Sequence, residues 1–480
     1  VAPRGNRNFD NNTIDVVYLV DEGARVFIED IVVLGNDRTR DYVIRREFDI
    51  SEGDAYNRVL VQKTRRRIEA LGFFESVRVT TQPGSAPDRI RVIVNVIEKS
   101  TGDISLSGGY SNNGGPSAQI SLTERNFLGR GQFLNVAYQT GDDEDSYSFQ
   151  FREPFFLGYR VSAGFGIQAT ESEATAERAY ANDTIAGNVS FGIPITENLG
   201  TSVFYTFRNS DITVGTALLD DGVAPPATDD GIQGNIAGEL SAALADDVGD
   251  FTASGLGFSV TYNTLDNNRK PREGMRLHWT QTFYGAGGDA QYMASEVNLV
   301  NYNLLSEEED IVLFGRVRAG HLEQFGGDGT NSITDTLRTA DNFQARSKTI
   351  RGFDSFGYGP RDPFTGDPLG GQTYWNATAE VQFPLPFISR SVGLRGAFFA
   401  DAGQLYDPGA GTIAAIQAIP GFGALTNQNE LTSDSIRASV GGSVIWDSPF
   451  GPLRVDYAFP IAEESFDDIE ELNFGVSSAF

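Results

Sequence analysis

The 480-residue chain contains no cysteine and only two histidines, His278 and His321. Thiol catalysis, Cys-ligated zinc, iron–sulfur clusters and disulfide scaffolds are therefore excluded. Two histidines are poor material for a metal centre, and no metal or cofactor is expected. Positive charge is scarce as well: 37 Lys+Arg stand against 65 Asp+Glu, a formal net charge of −28. Such a surface repels phosphate backbones, so nucleic acid is not an expected partner. No run of about 18 apolar residues occurs, and no transmembrane helix is expected. What the chain does have is glycine (Gly 54) and aromatics (11%). With a mean hydropathy of −0.25 it could be a soluble all-β protein. It could equally be a membrane β-barrel, whose polar lumen and loops dilute the apolar face.

The chain divides near Ser100. Residues 1–22 end in the strand-like run Thr13-Ile-Asp-Val-Val-Tyr-Leu-Val20, with nothing before it to pair with. They read as the tail of a truncated upstream domain. Residues 23–100 carry a compact α+β pattern. The stretch 26–34 is a strand closed by Gly35-Asn36, and Thr39 is the candidate N-cap of a short helix through Phe48. Asn57 caps a second helix with Val61, Thr64, Ile68 and Leu71 on one side and Gly72 as its stop. Two strands, 76–82 and 89–98, complete the order β-α-α-β-β, which suggests two helices on a small three-stranded sheet.

After Gly102 the helical period disappears, and segments with period-2 alternation recur to the last residue. Candidate strands begin near 104, 117, 131, 146, 159, 181, 199, 251, 274, 290, 311, 373, 393, 435, 452 and 471. In the stretch 375–383 the odd positions are apolar, against Asn376, Thr378, Glu380 and Gln382. In 453–459 the apolar set is Leu453, Val455, Tyr457 and Phe459, against Arg454 and Asp456. A soluble sandwich alternates too; the connections separate the two readings. Odd connections (170–180, 210–250, 324–372, 404–434, 461–470) are long, acidic or Gly-rich. Even ones (125–130, 154–158, 194–200, 306–310, 384–390, 448–451) are short and carry Phe127, Phe155, Phe156, Phe387 and Phe450. Sorting loops by parity is what an up-and-down membrane barrel requires. The expected fold is thus a membrane β-barrel of about 16 antiparallel strands over residues 101–480, entered from the α+β domain on the short-turn side. Closure in lipid favours an even count. The acidic runs 142–145 and 307–310 read as solvated hairpin ends, and no nucleophile motif points to an enzyme.

Several strings carry a resemblance. Ile350-Arg-Gly-Phe353, Glu124-Arg-Asn-Phe-Leu-Gly-Arg-Gly131, Asp447-Ser-Pro-Phe-Gly-Pro-Leu-Arg-Val-Asp-Tyr-Ala-Phe-Pro460 and the terminal Phe480 resemble the BamA family of outer-membrane assembly proteins. Residues 24–99 resemble one polypeptide-transport-associated (POTRA) domain. The resemblance implies a barrel in the outer membrane of a Gram-negative bacterium that inserts and folds client outer-membrane proteins, with its POTRA domain in the periplasm and accessory outer-membrane lipoproteins as partners. Ile350 stands where Val is usual, and one complete POTRA where several are usual. The alternative is a POTRA-containing secretion pore or translocation-assembly paralogue that exports a dedicated substrate.

Three sets of residues follow from that resemblance. First, loop 324–372 folds back into the lumen with Arg351 at its tip, beside Gly352 and Phe353, and the family pattern places its carboxylate partners at Glu380 and Asp401. Second, the first and last strands form a labile seam: Ser105, Leu106, Ser107, Gly108 and Gly109 on one side, Asn473 and Gly475 on the other. The Gly108-Gly109 pair weakens pairing. An exposed edge there can template a client strand. Third, Leu472, Phe474, Val476 and Phe480 resemble the C-terminal signal by which outer-membrane proteins are recognised. No catalytic role is expected for any of them.

Overall fold

The computed structural model describes residues 2–8, 13–19, 25–111, 115–175, 178–215, 240–268, 270–325, 336–345, 349–386, 388–448 and 451–476. Its backbone forms two compact units, Val1–Asp103 with Glu124–Phe133, and Ile104–Thr123 with Leu134–Phe480.

In the first unit, Ala2–Asn8 pairs antiparallel with Thr13–Leu19. The sequence reading left that second strand without a partner. Ala2-Pro-Arg-Gly-Asn-Arg-Asn has no β-branched or aromatic residue to mark it as a strand, but a ladder requires only backbone amides and carbonyls. Next comes a three-stranded sheet in which Phe27–Leu34 runs parallel to the central Arg89–Glu98, and Phe74–Pro83 runs antiparallel to it. The helices are Asp41–Arg45 and Arg58–Ala70. Asn57 Oδ1 accepts the Val59 and Leu60 amides at 2.9 and 3.3 Å, satisfying two of the helix's orphan donors. Val61, Thr64 and Ile68 are buried on the sheet, as the helical spacing requires. Ile44, Ile68, Phe73, Phe74, Val94 and Val96 form one core cluster; Ile28, Ile31, Ile50, Val61 and Val92 form the other.

Thr39 does not cap the first helix. That helix starts after Arg40, without a side-chain cap. The Thr39 amide donates instead to Glu98 Oε1 at 2.7 Å, and the Arg38 amide to Glu98 Oε2 at 2.9 Å. Its hydroxyl accepts from Asn126 Nδ2 at 2.9 Å. The hydroxyl that a cap would turn toward the helix amides is engaged by a residue distant in sequence instead.

The second unit is built on sixteen strands arranged as a closed ring in sequence order, the last beside the first. They span Gly102–Ser111, Gly115–Phe127, Gln132–Gly141, Glu144–Glu153, Ser162–Ser172, Ala181–Pro194, Leu199–Thr213, Gly249–Asn263, Gly274–Gly288, Tyr292–Ser306, Ile311–Gln324, Thr373–Pro384, Leu394–Tyr406, Arg437–Ser448, Gly451–Ala462 and Leu472–Val476. Each begins within three residues of its predicted start. Outward positions are apolar and exposed, among them Ile167, Ile185, Val203, Leu256, Phe398 and Phe459. Inward positions are polar and often buried, among them Asn376, Thr378, Glu380, Asp401, Ser443 and Asp456. That inversion of a soluble protein's pattern is the mark of a barrel solvated by lipid outside. Among the described residues, no helix is long and apolar enough to cross a membrane. Phe387 and Phe450 of the expected aromatic rim, and Phe480, lie outside the described residues.

The run 307–310 is not merely a solvated end. Asp310 pairs with Arg272, and its Oδ2 accepts from Arg395 Nη1 at 2.6 Å. The turn before Gly274 is thereby tied to the one before Ile311.

Candidate functional site

Arg351 lies between the eleventh and twelfth strands, in a segment whose Ile350, Arg351, Gly352 and Phe353 are all buried. Gly352 has φ +95°, and a Cβ there would come within 3.2 Å of Ala458 Cβ. Only glycine adopts that conformation and tolerates that approach. Ile350 and Phe353 pack with Ala345, Tyr358 and Leu405, which seats the turn on the barrel's inner wall.

The guanidinium is held on three sides. Nε donates to Asp401 Oδ2 at 2.7 Å, Nη2 to Asp401 Oδ1 at 2.8 Å, and Nη1 to Glu380 Oε2 at 2.7 Å. The Asp401 contact is the two-pronged, charge-assisted kind. The Arg351 backbone amide also donates to Asp401 Oδ2 at 3.2 Å, and the guanidinium carbon lies 3.4 Å from the Phe399 ring centroid. Side-chain exposure is 8% for Arg351 and 2% for each of the two carboxylates. With so little water present, the geometry has to satisfy these charges.

Arg454 and Asp456 belong to this cluster too. From the sequence they mark only the lumen-facing parity of their strand. Arg454 Nη2 donates to Glu380 Oε2 at 2.7 Å and to Ser443 Oγ at 2.8 Å, and its Nε to Asp456 Oδ1 at 2.7 Å. Glu380 thus binds the loop arginine and an arginine of the fifteenth strand with the same oxygen. Two guanidiniums and three carboxylates, from the loop and three strands, make one network. Each charged group in the cluster meets an opposite charge, and together they tie the loop to the three strands.

The loop also forms a two-residue antiparallel sheet: Gly352 pairs with Glu470, and Phe353 with Ile469. That partner segment leads directly into the last strand. Leu472–Tyr457 through Val476–Leu453 is its ladder to the fifteenth strand. On the other side, among the described residues, a single pair joins it to the first strand, Gly475 with Ser111.

Ser105, Leu106, Ser107, Gly108 and Gly109 all lie on the first strand, where Ile104 and Leu106 are 76% and 81% exposed. Asn473 faces inward and is buried, whereas Leu472 and Phe474 face outward and are exposed.

Two family models match the chain. One, described as the Omp85 superfamily domain, covers residues 126–480, and the other, described as a surface antigen variable number repeat (POTRA), covers residues 26–99. The outer membrane protein assembly factor BamA of Neorickettsia risticii is 29% identical over 98% of this chain and 57% of its own length. That of Neisseria meningitidis is 26% identical over 98% of this chain and 59% of its own length. The chain therefore spans under two thirds of the length of these two relatives. Among solved structures, the crystal structure of BamA from Haemophilus ducreyi lacking POTRA domains 1–3 superposes with TM-score 0.75 and 25% identity, over 100% of this chain and 89% of that one. The chain belongs to the Omp85 superfamily, as a BamA-family outer-membrane β-barrel that carries a POTRA domain.

Proposed function

We propose that this chain inserts and folds client β-barrel proteins in the outer membrane, with residues 101–480 forming the barrel and residues 23–100 a POTRA domain in the periplasm. The observation that carries the reading is the barrel itself: sixteen strands closed in sequence order, so that the one seam lies between the first strand and the last, in a chain that also carries a POTRA domain. In lipid an unpaired backbone donor or acceptor costs several kcal/mol, because no water is present to satisfy it. A client strand that adds to an edge exposed when the seam opens gains those hydrogen bonds. The reaction is thereby driven by client folding and takes no cofactor or nucleotide. On this reading the chain is not an enzyme.

Ser105, Leu106, Ser107, Gly108 and Gly109 supply the templating edge, and Asn473 and Gly475 face it across the seam. Leu472, Phe474, Val476 and Phe480 act as the recognition signal at the end of the chain, with Leu472 and Phe474 facing outward. Ile350, Arg351, Gly352 and Phe353, with Glu380 and Asp401, fix the lumenal loop and leave the seam as the part that opens. Partners are unfolded outer-membrane proteins and the accessory lipoproteins of an assembly complex.

The sequence has no cysteine, so a pair introduced as Ser111→Cys and Gly475→Cys has no native thiol to compete with it, and the intramolecular disulfide is identified by its monomeric mass. Oxidised protein in liposomes should fail to insert a client barrel, and reduction should restore insertion. Undiminished insertion by the oxidised form would sink the proposal. Depletion in cells should lower many outer-membrane proteins together; loss of one alone would favour a dedicated secretion pore.

A further inference from the structure

A cavity of about 540 Å³ lies in the lumen between the barrel wall and the loop that carries Arg351. Arg208, Arg318, Tyr374 and Asn376 of the seventh, eleventh and twelfth strands line its wall side, with Arg178 and Tyr180 just ahead of the sixth. The loop side contributes Asp341, Phe343 and Tyr358. In a chain of net charge −28 this lining is positive: three arginines and one carboxylate among the described residues. That carboxylate is already committed. Asp341 Oδ1 lies 2.9 Å from Arg208 Nη2, and its Oδ2 lies 3.2 Å from Arg338 Nε. Arg178 meets a neutral acceptor, donating Nη2 to the Glu173 carbonyl at 2.7 Å. Arg318 stands opposite Asn298 and Asn376, while Glu296 stands opposite Gly320. Among the described residues the Arg318 guanidinium has no ion-pair partner. Beside it Asn376 is 2% exposed and faces inward, and its Oδ1 meets no donor among the described residues.

We infer that this cavity is a binding site for a small phosphorylated ring compound, with the phosphate on Arg318 and the ring among Tyr180, Phe343, Tyr358 and Tyr374. Three physical arguments support this. Guanidiniums are the preferred partners of phosphate, and two without a carboxylate, Arg318 and Arg178, match the two charges of a phosphate monoester. The volume falls in the range of pockets that hold small organic ligands, and a bare phosphate would fill only a small part of it. The rest of the lining is suited to a ring: Phe343 and Tyr374 stand edge to face at 4.6 Å, and the Arg178 guanidinium lies 5.5 Å from the Tyr180 ring centroid. The open acceptor of Asn376 is placed for a hydroxyl on that ring, because a buried acceptor left without a donor is costly. Two kinds of compound share this chemistry, a sugar phosphate and an aromatic phosphate. The inference is independent of the seam and goes beyond client insertion.

The test uses the full chain folded in a nonionic detergent free of phosphate. Glucose 6-phosphate, phenyl phosphate and inorganic phosphate are titrated calorimetrically at one fixed ionic strength. At least one of the two ring phosphates should bind at a single site, tenfold or more tighter than inorganic phosphate. The tighter of the two identifies the ring as a sugar or an aromatic. Arg318→Gln should weaken that binding at least tenfold, and Arg318→Lys, which keeps the charge but not the fork, should fall between. Tyr374→Leu should weaken the ring phosphate several-fold and leave inorganic phosphate unchanged. Arg276, on the ninth strand and outside the cavity lining, is the control, and Arg276→Gln should bind as the native chain does. The inference is overturned if neither ring phosphate binds more tightly than inorganic phosphate. It is overturned equally if Arg318→Gln binds undiminished, or if Arg276→Gln loses as much as Arg318→Gln, which would indicate a diffuse lumenal field. If Arg318→Gln does not fold, judged by its heat-modifiable mobility, Arg318→Lys and Arg178→Gln carry the test, and undiminished binding in both overturns the inference.

Discussion

Arg351 shows how one side chain can hold a whole loop. Its guanidinium meets Asp401 with two prongs and Glu380 with one, and all three side chains are nearly dry. Arg351→Met would leave Asp401 as a buried carboxylate whose hydrogen-bond donors, among the described residues, all belong to Arg351, whereas Glu380 keeps Arg454. Breaking a buried pair in this one-sided way costs about 3–5 kcal/mol. Equilibrium unfolding of the barrel in lipid should register that loss. Trypsin should also cut after Arg361 in the variant and spare it in the native protein. Combining Arg351→Met with Asp401→Asn should recover part of the loss, because the stranded charge is then gone. If the double variant is no more stable than the single one, the cost lies in packing against Phe399 rather than in charge.

The two units read differently from sequence because their elements are specified differently. In a barrel every residue of a strand faces either lipid or lumen, so the alternation persists along most of the strand; residues 375–383 of Thr373–Pro384 display it without a break. Helix Arg58–Ala70 was equally legible, with its cap and stop both local. Ala2–Asn8 was not, because its partner is in the backbone ladder and its side chains carry no β signal. Arg437–Asp467 and Asp310–Arg395 were also missed. Each joins residues 30 or more apart, and nothing in a local pattern separates a buried loop charge from a solvated one.

The barrel wall makes a prediction at this scale. Ile167 and Gln168 are neighbours near the middle of Ser162–Ser172, Ile167 outward and Gln168 inward. Ile167→Arg should cost about 2–4 kcal/mol in bilayer refolding, and Gln168→Arg far less. Equal penalties would contradict the assigned faces.

Glu98 gives the POTRA sheet a pH dependence. Partial burial opposes its ionisation but is outweighed by hydrogen bonds from Thr39 and Arg38, which hold the carboxyl below its ordinary value of 4.5. A depressed folded value means that the stabilisation is present above pH 4.5 and is lost as pH falls through the folded value. Hydrogen-exchange protection of amides 38 and 39 should therefore decline on acidification below that point. Glu98→Gln should show low protection at neutral pH and little further acid dependence. Acid-insensitive protection in the native chain would break the assignment.

At the scale of the whole molecule, the two units answer to different solvents. The POTRA unit buries apolar side chains such as Ile28, Ile44, Ile68 and Val94 within itself, as a water-soluble domain does. The barrel exposes its apolar side chains and buries its charges, so its stability comes from lipid and from a ring of strands with almost no free edge. Urea attacks the first kind of order far more readily than the second. The chain carries its own probe for this difference: all three tryptophans, Trp279, Trp375 and Trp446, lie on barrel strands. Indole fluorescence therefore reports the barrel alone. Exchange protection across Arg89–Glu98, the central strand of the POTRA sheet, reports the other unit. In a urea titration of the protein in liposomes, protection of that strand should be lost well before the fluorescence changes. Removing the urea should restore it while the barrel stays folded throughout. Coincident transitions would mean that the two units share one cooperative core, which the separate clusters of buried residues in each do not support.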